Sequence, residues 1–209
     1  MFTGIVQHVG RITAVAPSSA GVRLTVDPCG WSHQPARGDS IAVSGICLTV
    51  VDAQPAAWSF DVVPQTLALT TLSAASSGRR VNLEHATLAS TPMGGHIVQG
   101  HVDGLGRVAS IMSSGQWRVR IEVPAAIAAC IVAQGSIAVD GVSLTVADAA
   151  RDGAWFEVAL IPETLERTTL AALAVGDAVN LEADHLSKLI AHHVARQTAL
   201  RGERVDPVD

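Results

Sequence analysis

SIAVSGICLTVVDA runs from Ser40 to Ala53, and SIAVDGVSLTVADA runs from Ser136 to Ala149; ten of the fourteen positions are identical. Each copy places an apolar run, a glycine (Gly45, Gly141) and a second run with period-two alternation in sequence, the signature of a strand, a tight bend and a second strand. A glycine at the bend permits a sharp turn or the close approach of a ligand. The turn therefore either only folds the hairpin or also lines a ligand site at a barrel mouth. Outward from this stretch the duplication continues. At the same offset of 96, Gly4 matches Gly100, Gly10-Arg11 matches Gly106-Arg107, and Pro28 matches Pro124. Further on the offset becomes 98: VPQTLALTTL (Val63 to Leu72) matches IPETLERTTL (Ile161 to Leu170), and VNLE at 81–84 matches VNLE at 179–182. Two extra residues in the intervening loop of the second copy account for the shift. A period near a hundred residues is too long for a solenoid and describes two similar domains. The boundary falls near TPMGGH (Thr91 to His96), where Pro and Gly concentrate.

Within each copy short strands dominate. VRLTV (Val22 to Val26) and WRVRIEV (Trp117 to Val123) alternate apolar and polar residues, and SIAV, CLTV, WSFDV and RVNLE continue the series. About six short strands in roughly ninety residues point to a small closed antiparallel barrel, because closure removes exposed edges. Helical signals are few. Pro124 to Gly135 (PAAIAACIVAQG) has the Pro-first, Gly-last pattern of a helix, and PETLERTTL reads as a short helical turn after a strand. Ala183 to Arg201 lacks Gly and Pro, Asp184 can cap it, and Leu186, Leu189, Ile190, Val194 and Leu200 fall near one stripe. This terminal helix either packs on its own barrel or joins copies of the chain. The fold class is therefore all-β: two similar six-stranded antiparallel barrels, 1–97 and 98–184, a C-terminal helix over 185–201 and a disordered tail over 202–209.

The chain has 209 residues, 48% hydrophobic and 16% charged, with a net charge of −5. An acidic chain with no basic run lacks the phosphate-neutralising face of a nucleic-acid binder. With no Tyr, four Trp and three Phe, a base-stacking platform is not expected either. Three cysteines, Cys29, Cys47 and Cys130, make no disulfide framework. MFTGIVQHVGRI does not read as a signal peptide, and no run approaches the ~20 apolar residues of a membrane span. A soluble cytoplasmic protein is the expectation. No zinc-type Cys/His spacing, P-loop or dinucleotide fingerprint occurs, so neither metal nor cofactor is expected.

Cys47 stands where the second copy has Ser143, each two residues after the turn glycine and followed by Leu48-Thr49 or Leu144-Thr145. A nucleophilic Cys47 would need a base-bearing neighbourhood, whereas Cys29 and Cys130 read as structural. His96 and His101 bracket HIVQGH in the linker region, and His192-His193 sit in the terminal helix. A Cys47–His101–Asp184 triad can be drawn, but no nucleophile elbow supports it.

Six motifs in order, MFTGIVQHVGRI, SGICLTV, GGHIVQGHVDGLGRV, SIAVDGVSLTV, LIPETLERTTL and VNLEADHLSK, resemble the riboflavin synthase alpha-chain family from Met1 to about His193. The resemblance implies two six-stranded Greek-key barrels, a C-terminal helix and a homotrimer with sites formed between subunits. It implies a dismutation in which two molecules of 6,7-dimethyl-8-ribityllumazine exchange a four-carbon unit, giving riboflavin and 5-amino-6-ribitylaminouracil without a cofactor. Association with lumazine synthase is a further partner it suggests. Under it, His101 is a proton-transfer group, Cys47 lies near the reacting ring, and Ser143 and Thr145 hydrogen-bond in the second pocket. Ser40 and Asp184 give polar or proton-relay support, and Phe2 packs at the site. Ligand contacts would come from Gly4, Ile5 and Val6, from Leu48 and Thr49, and from Asp61, Val62, Val63, Pro64, Gln65 and Thr66. In the second half they would come from Gly100 and Val102, from Leu144, and from Ala159, Leu160, Ile161, Pro162, Glu163 and Thr164.

The chain departs from the family pattern at Ser44 (usually Asn), at Gln65 and Ala68 (usually Glu and Arg), at Gln134 (often Lys) and at Leu189 (usually Tyr). Gln134 would lie near the neighbouring subunit's site. A non-catalytic lumazine- or flavin-binding antenna protein shares the architecture and is the alternative; Cys47 and the GGHIVQGHVDG run with His101 favour the enzyme. A flavin barrel of a reductase would need a nucleotide-binding domain for which no chain remains.

Overall fold

Alternation along each strand gives the sheets one apolar face. In the computed structural model, which describes residues 1–201, AWSFDV buries Trp58, Phe60 and Val62 and leaves Ala57, Ser59 and Asp61 half-exposed. The tail expected to be disordered, 202–209, lies outside the described residues. The first half contains β1 (His8–Ser18), β2 (Gly21–Asp27), β3 (Ser40–Val43), β4 (Ile46–Gln54), β5 (Ala57–Val62), α1 (Pro64–Leu69) and β6 (Arg80–His85). The second contains β7 (Gly104–Met112), β8 (Trp117–Glu122), α2 (Ala125–Ala128), β9 (Ser136–Val139), β10 (Val142–Ala149), β11 (Trp155–Leu160), α3 (Pro162–Arg167) and β12 (Ala178–Ala183); α4 (His185–Arg201) follows. Each half is a closed antiparallel barrel, with strand orders β1-β2-β5-β4-β3-β6 and β7-β8-β11-β10-β9-β12. Register shifts fall at matched places, Ile12/Ala14 and Val50/Asp52 in one barrel and Val108/Ser110 and Val146/Asp148 in the other. Such bulges bend a strand and strengthen its twist, which short strands need in order to close.

Leu24, Ile41, Trp58, Phe60 and Leu83 fill the first barrel; Ile121, Ile137, Phe156, Val179 and Leu181 fill the second. The long helix expected over Pro124–Gly135 is not formed. Only Ala125–Ala128 is helical, and a series of tight turns then buries Ile127, Cys130 and Ile131 in the second core. Tertiary burial of those side chains overrides the local propensity. The helical turn after β11 is present as α3, and its first-half match is α1.

The opening motif supplies the joint between the barrels. Ser44-Gly45 and Asp140-Gly141 both have positive φ at each central residue (46° and 78°, 44° and 79°), the type I′ hairpin geometry. The two turns meet back to back. A Cβ on Gly45 would lie 2.6 Å from the Gly141 nitrogen, and one on Gly141 would lie 2.6 Å from the Gly45 nitrogen. The VNLE repeat clamps this joint. Asn82 Nδ2 donates to the Asp140 carbonyl and its Oδ1 accepts from Thr169 N–H; Asn180 Nδ2 donates to the Ser44 carbonyl and its Oδ1 accepts from Thr71 N–H. Phe2, Ala42, Val98 and Ala138 form a small apolar core beside it, with Phe2 and Val98 bridged through their backbones.

Asp184 Oδ1 accepts Ser187 N–H at the start of α4, and Lys188 pairs with Asp103 at 3.0 Å. Leu186, Leu189, Ile190 and Val194 are each more than half exposed. The helix is therefore anchored at its base but does not lay its apolar stripe on its own barrel. No helix among the described residues is long and apolar enough to cross a membrane.

Candidate active site

The segment leading into each barrel crosses to the other. Residues 3–6 precede the first barrel, yet the Gly4 carbonyl accepts Ser143 N–H at 2.7 Å on the second. Residues 99–102 precede the second barrel, yet the Gly100 carbonyl accepts Cys47 N–H at 2.9 Å on the first. Contact is tight enough to exclude a side chain. A Cβ on Gly4 would sit 2.6 Å from Ser143 Cβ, a Cβ on Gly100 would sit 2.5 Å from Cys47 Cβ, and both glycines have positive φ, +73° and +79°.

Two cavities result. One, of about 230 Å³, is lined by Ile46, Cys47, Gln65, Thr66, Leu69, Thr70, Gly100, His101 and Val102. The other, of about 190 Å³, is lined by Gly4, Ile5, Val6, Val142, Ser143, Ile161, Glu163, Thr164, Arg167 and Thr168. Nine positions correspond through the repeat offsets, and their differences carry the chemistry. The first cavity sets Cys47 and His101 beside the neutral Gln65 and Leu69. In the second these positions are Ser143, Ile5, Glu163 and Arg167, and Glu163 and Arg167 form an ion pair one helical turn apart. The ends of α1 and α3 can point into the cavities because Pro64 and Pro162 start these helices directly after a strand.

A histidine outside the sequence-predicted set completes the second site. His96 Nδ1 lies 2.7 Å from Ser143 Oγ, while His96 Nε2 is buried without a partner among the described residues. Gly95 permits this approach, since a Cβ there would fall 2.1 Å from the Thr3 carbonyl and 2.9 Å from Ser143. Burial pushes the imidazole below the ordinary histidine value, with the charge of Asp184 opposing the shift. A neutral imidazole offers Ser143 a lone pair or an N–H, the capacity of a proton-transfer pair. His96 lies outside the stretches that match between the repeats, so the duplication gave no signal for it.

Of the sequence-predicted residues, Cys47, Gln65, Thr66, Gly100, His101 and Val102 come together in the first cavity. Gly4, Ile5, Val6, Ser143, Ile161, Glu163 and Thr164 come together in the second. Leu48, Val62, Leu144 and Leu160 are buried in the barrels, because alternation turns them inward. Phe2 is fully buried between the barrels rather than exposed in a cavity. Thr49 and Thr145 lie exposed on β4 and β10, opposite Ser40 and Ser136. Asp61 is committed to a two-point ion pair with Arg23. Val63 and Pro64 are exposed where α1 begins and Pro162 is exposed in α3, while Ala159 is half-exposed in β11. Gln134 holds a positive φ of 64° in an exposed turn. Ser40 lines a different cavity with His33, Asp39 and His85, and Asp184 caps α4; within one chain neither joins Cys47 and His101. Among the described residues no three His, Cys, Asp or Glu side chains converge as a metal site.

Comparison with known proteins agrees with this architecture. The lumazine binding domain family matches residues 3–86 and again 99–184. Riboflavin synthase of Mycobacterium tuberculosis is 47% identical over 193 residues, covering 91% of this chain and 96% of that protein. Riboflavin synthase of Actinobacillus pleuropneumoniae is 37% identical over 201 residues, covering 95% and 92%. The structure of LumP complexed with riboflavin superposes with a TM-score of 0.77 at 27% identity, covering 88% of this chain and 99% of that one. LumP complexed with 6,7-dimethyl-8-(1′-D-ribityl)lumazine gives 0.76 at 25% identity, with the same coverage. Two matched barrels, a cavity at each crossed joint and this extent of identity place the chain in the riboflavin synthase family, as two lumazine-binding domains in one polypeptide.

Proposed function

We propose that this chain is a riboflavin synthase: it takes two molecules of 6,7-dimethyl-8-ribityllumazine, moves a four-carbon unit from one to the other, and releases riboflavin and 5-amino-6-ribitylaminouracil. The observation that carries the reading is the pair of matched but unequal cavities. Two copies of one substrate need two like sites, and their different roles as donor and acceptor need the sites to differ. The differences are Cys47 with His101 on one side and Ser143 with His96 and Ile5 on the other. The atoms balance between two lumazines and the two products, so the scheme needs no outside oxidant or reductant.

Chemistry begins with loss of a proton from the acidic 7-methyl group of one lumazine, whose carbanion then attacks the other. Holding two rings face to face contributes up to ~7–11 kcal/mol of the barrier. Proton transfer by placed groups adds roughly 10²–10⁴-fold. His101 serves one cavity and His96, through Ser143, serves the other. Face-to-face pairing is assigned to cavities of neighbouring subunits in a homotrimer. The exposed apolar stripe of α4 supports that assembly, since Leu186, Ile190 and Val194 lie uncovered among the described residues. Ser40, Asp184 and Gln134, outside both cavities in one chain, then fall to the subunit boundary. A cytoplasmic location fits this chemistry.

The test is incubation of the purified protein with 6,7-dimethyl-8-ribityllumazine alone, following riboflavin by absorbance and chromatography. One riboflavin per two lumazines is expected. Tight lumazine binding without turnover would leave a carrier protein and overturn the enzyme reading.

A further inference from the structure

Both copies of VNLE end in a glutamate that strand alternation places on the outer face of its barrel, yet both are only 3% exposed because the leading segments cover them. Among the described residues neither forms an ion pair. Glu84 instead gathers the first leading segment: its Oε1 accepts Thr3 N–H at 2.7 Å and the Thr3 hydroxyl at 2.8 Å, and its Oε2 accepts Gly4 N–H at 3.0 Å. The Thr3 hydroxyl in turn accepts Ile5 N–H at 3.2 Å. Glu182 gathers the second segment directly. Its Oε1 accepts Gln99 N–H at 2.7 Å, and its Oε2 accepts Gly100 and His101 N–H at 2.9 and 3.0 Å.

Each glycine is thus held at both ends. Its N–H goes to the carboxylate of its own barrel, and its carbonyl goes to the reactive turn of the other. Glu182 is linked through Gly100 to Cys47, and Glu84 through Gly4 to Ser143. Burial works against the charge on both carboxylates, and the converging N–H donors work for it. An acceptor-only group suits three converging donors, whereas an amide would press its own NH₂ against one of them.

We propose that Glu182 and Glu84 are positioning residues, one for each cavity: Glu182 fixes the wall that carries His101 against Cys47, and Glu84 fixes the wall that carries Ile5 against Ser143. The consequence for turnover rests on the riboflavin synthase reading; the structural assignment does not. Because the two straps cross between barrels, each glutamate acts on the cavity of the opposite barrel.

Peptide-resolved alkylation by N-ethylmaleimide, read at Cys47 by mass spectrometry, reports on one cavity without any substrate. Glu182→Gln frees the strap over Cys47 and raises its alkylation rate about tenfold or more; Glu84→Gln leaves it within about twofold. Equal changes in both variants, or none in Glu182→Gln, overturn the assignment. With lumazine, Glu182→Gln lowers kcat by about 10- to 100-fold, because it displaces a proton-transfer group. Glu84→Gln acts mainly on KM, because it displaces an apolar wall. Were the parent inactive, the function would fail while the Cys47 contrast still judged the strap. Should Glu182→Gln not fold, hydrogen exchange on the unsubstituted protein decides: slow amides at Gln99, Gly100 and His101, outside any strand, support the clamp, and fast ones refute it.

Discussion

Ser143 Oγ lies 2.7 Å from Nδ1 of His96, and this hydrogen bond joins the opening motif of the second repeat to a residue of the segment between the repeats. The second cavity's Ser143 thus has an imidazole partner, while His101 lines the first cavity. His96→Gln is expected to lower kcat roughly 10²–10⁴-fold in steady-state lumazine turnover. Its pH signature has a definite sign. Folded His96 titrates below its unfolded value, so the folded chain binds fewer protons there, and protonation costs stability as pH falls through the usual histidine range. Urea melts of His96→Gln should therefore lose part of the decline on acidification, and an unchanged decline would exclude His96 as its source.

Asp140 is buried in the joint turn, and burial pushes its carboxyl from 3.8 up to about 6, while the Asn180 N–H bond to Oδ1 opposes the shift. The folded state holds this proton more tightly than the unfolded one. Below the unfolded value both states are protonated and the group is neutral in effect. Stability falls as pH rises from about 4 to about 6, and the penalty is complete above that, at most about 3 kcal/mol. Asp140→Asn keeps an acceptor for Asn180 and suits the positive φ of 44°. The variant should be more stable than the parent at pH 7 and equal to it near pH 4, as measured by denaturant titration. A less stable variant at pH 7 would show that Arg79, which also opposes the shift, compensates the charge in full.

Ser44 occupies the same position in the first joint turn at φ 46°, where type I′ geometry favours Asn or Asp before glycine. Its hydroxyl accepts Asn82 N–H, a role an Asn carbonyl oxygen can take over. Ser44→Asn should stabilise the chain by about 0.5–1 kcal/mol and raise Tm by a few degrees. A lowered Tm by calorimetry would mean the buried site has no room for the larger side chain.

Asn82 makes two hydrogen bonds across the barrel joint, to the Asp140 carbonyl and from Thr169 N–H. Asn82→Ala leaves a buried carbonyl and an amide unpaired, at a cost of roughly 2–4 kcal/mol. Each barrel keeps its own core, so the loss should appear as two separated thermal transitions in place of one. A single transition at lower temperature would show that the Phe2–Val98 bridge, the crossed Gly4 and Gly100 contacts and Asn180 suffice to couple the halves.

Much of this molecule was legible in advance. Period-two alternation in WSFDV and WRVRIEV gave strands, matched glycines gave hairpins, and the duplication gave two barrels. Local pattern failed where burial decided the outcome, as in Pro124–Gly135, whose helical propensity yields to the packing of Ile127, Cys130 and Ile131. Glu84 and Glu182 were visible as a repeat but read only as strand residues, because their partners lie about eighty positions away. His96 carried no repeat signal at all.

The sequence by itself determined that there are two similar barrels, and that they differ at Cys47 against Ser143 and at His101 against Ile5, since identity and alternation are properties of order along the chain. Only the tertiary structure decided which barrel each leading segment serves. Thr3–Val6 and Gln99–Val102 each cross to the other half because glycines without Cβ atoms let backbone meet backbone there, and buried carboxylates collect the amides left over. That crossing puts His101 with Cys47 rather than with Ser143, a pairing set by hydrogen bonds between residues more than fifty positions apart.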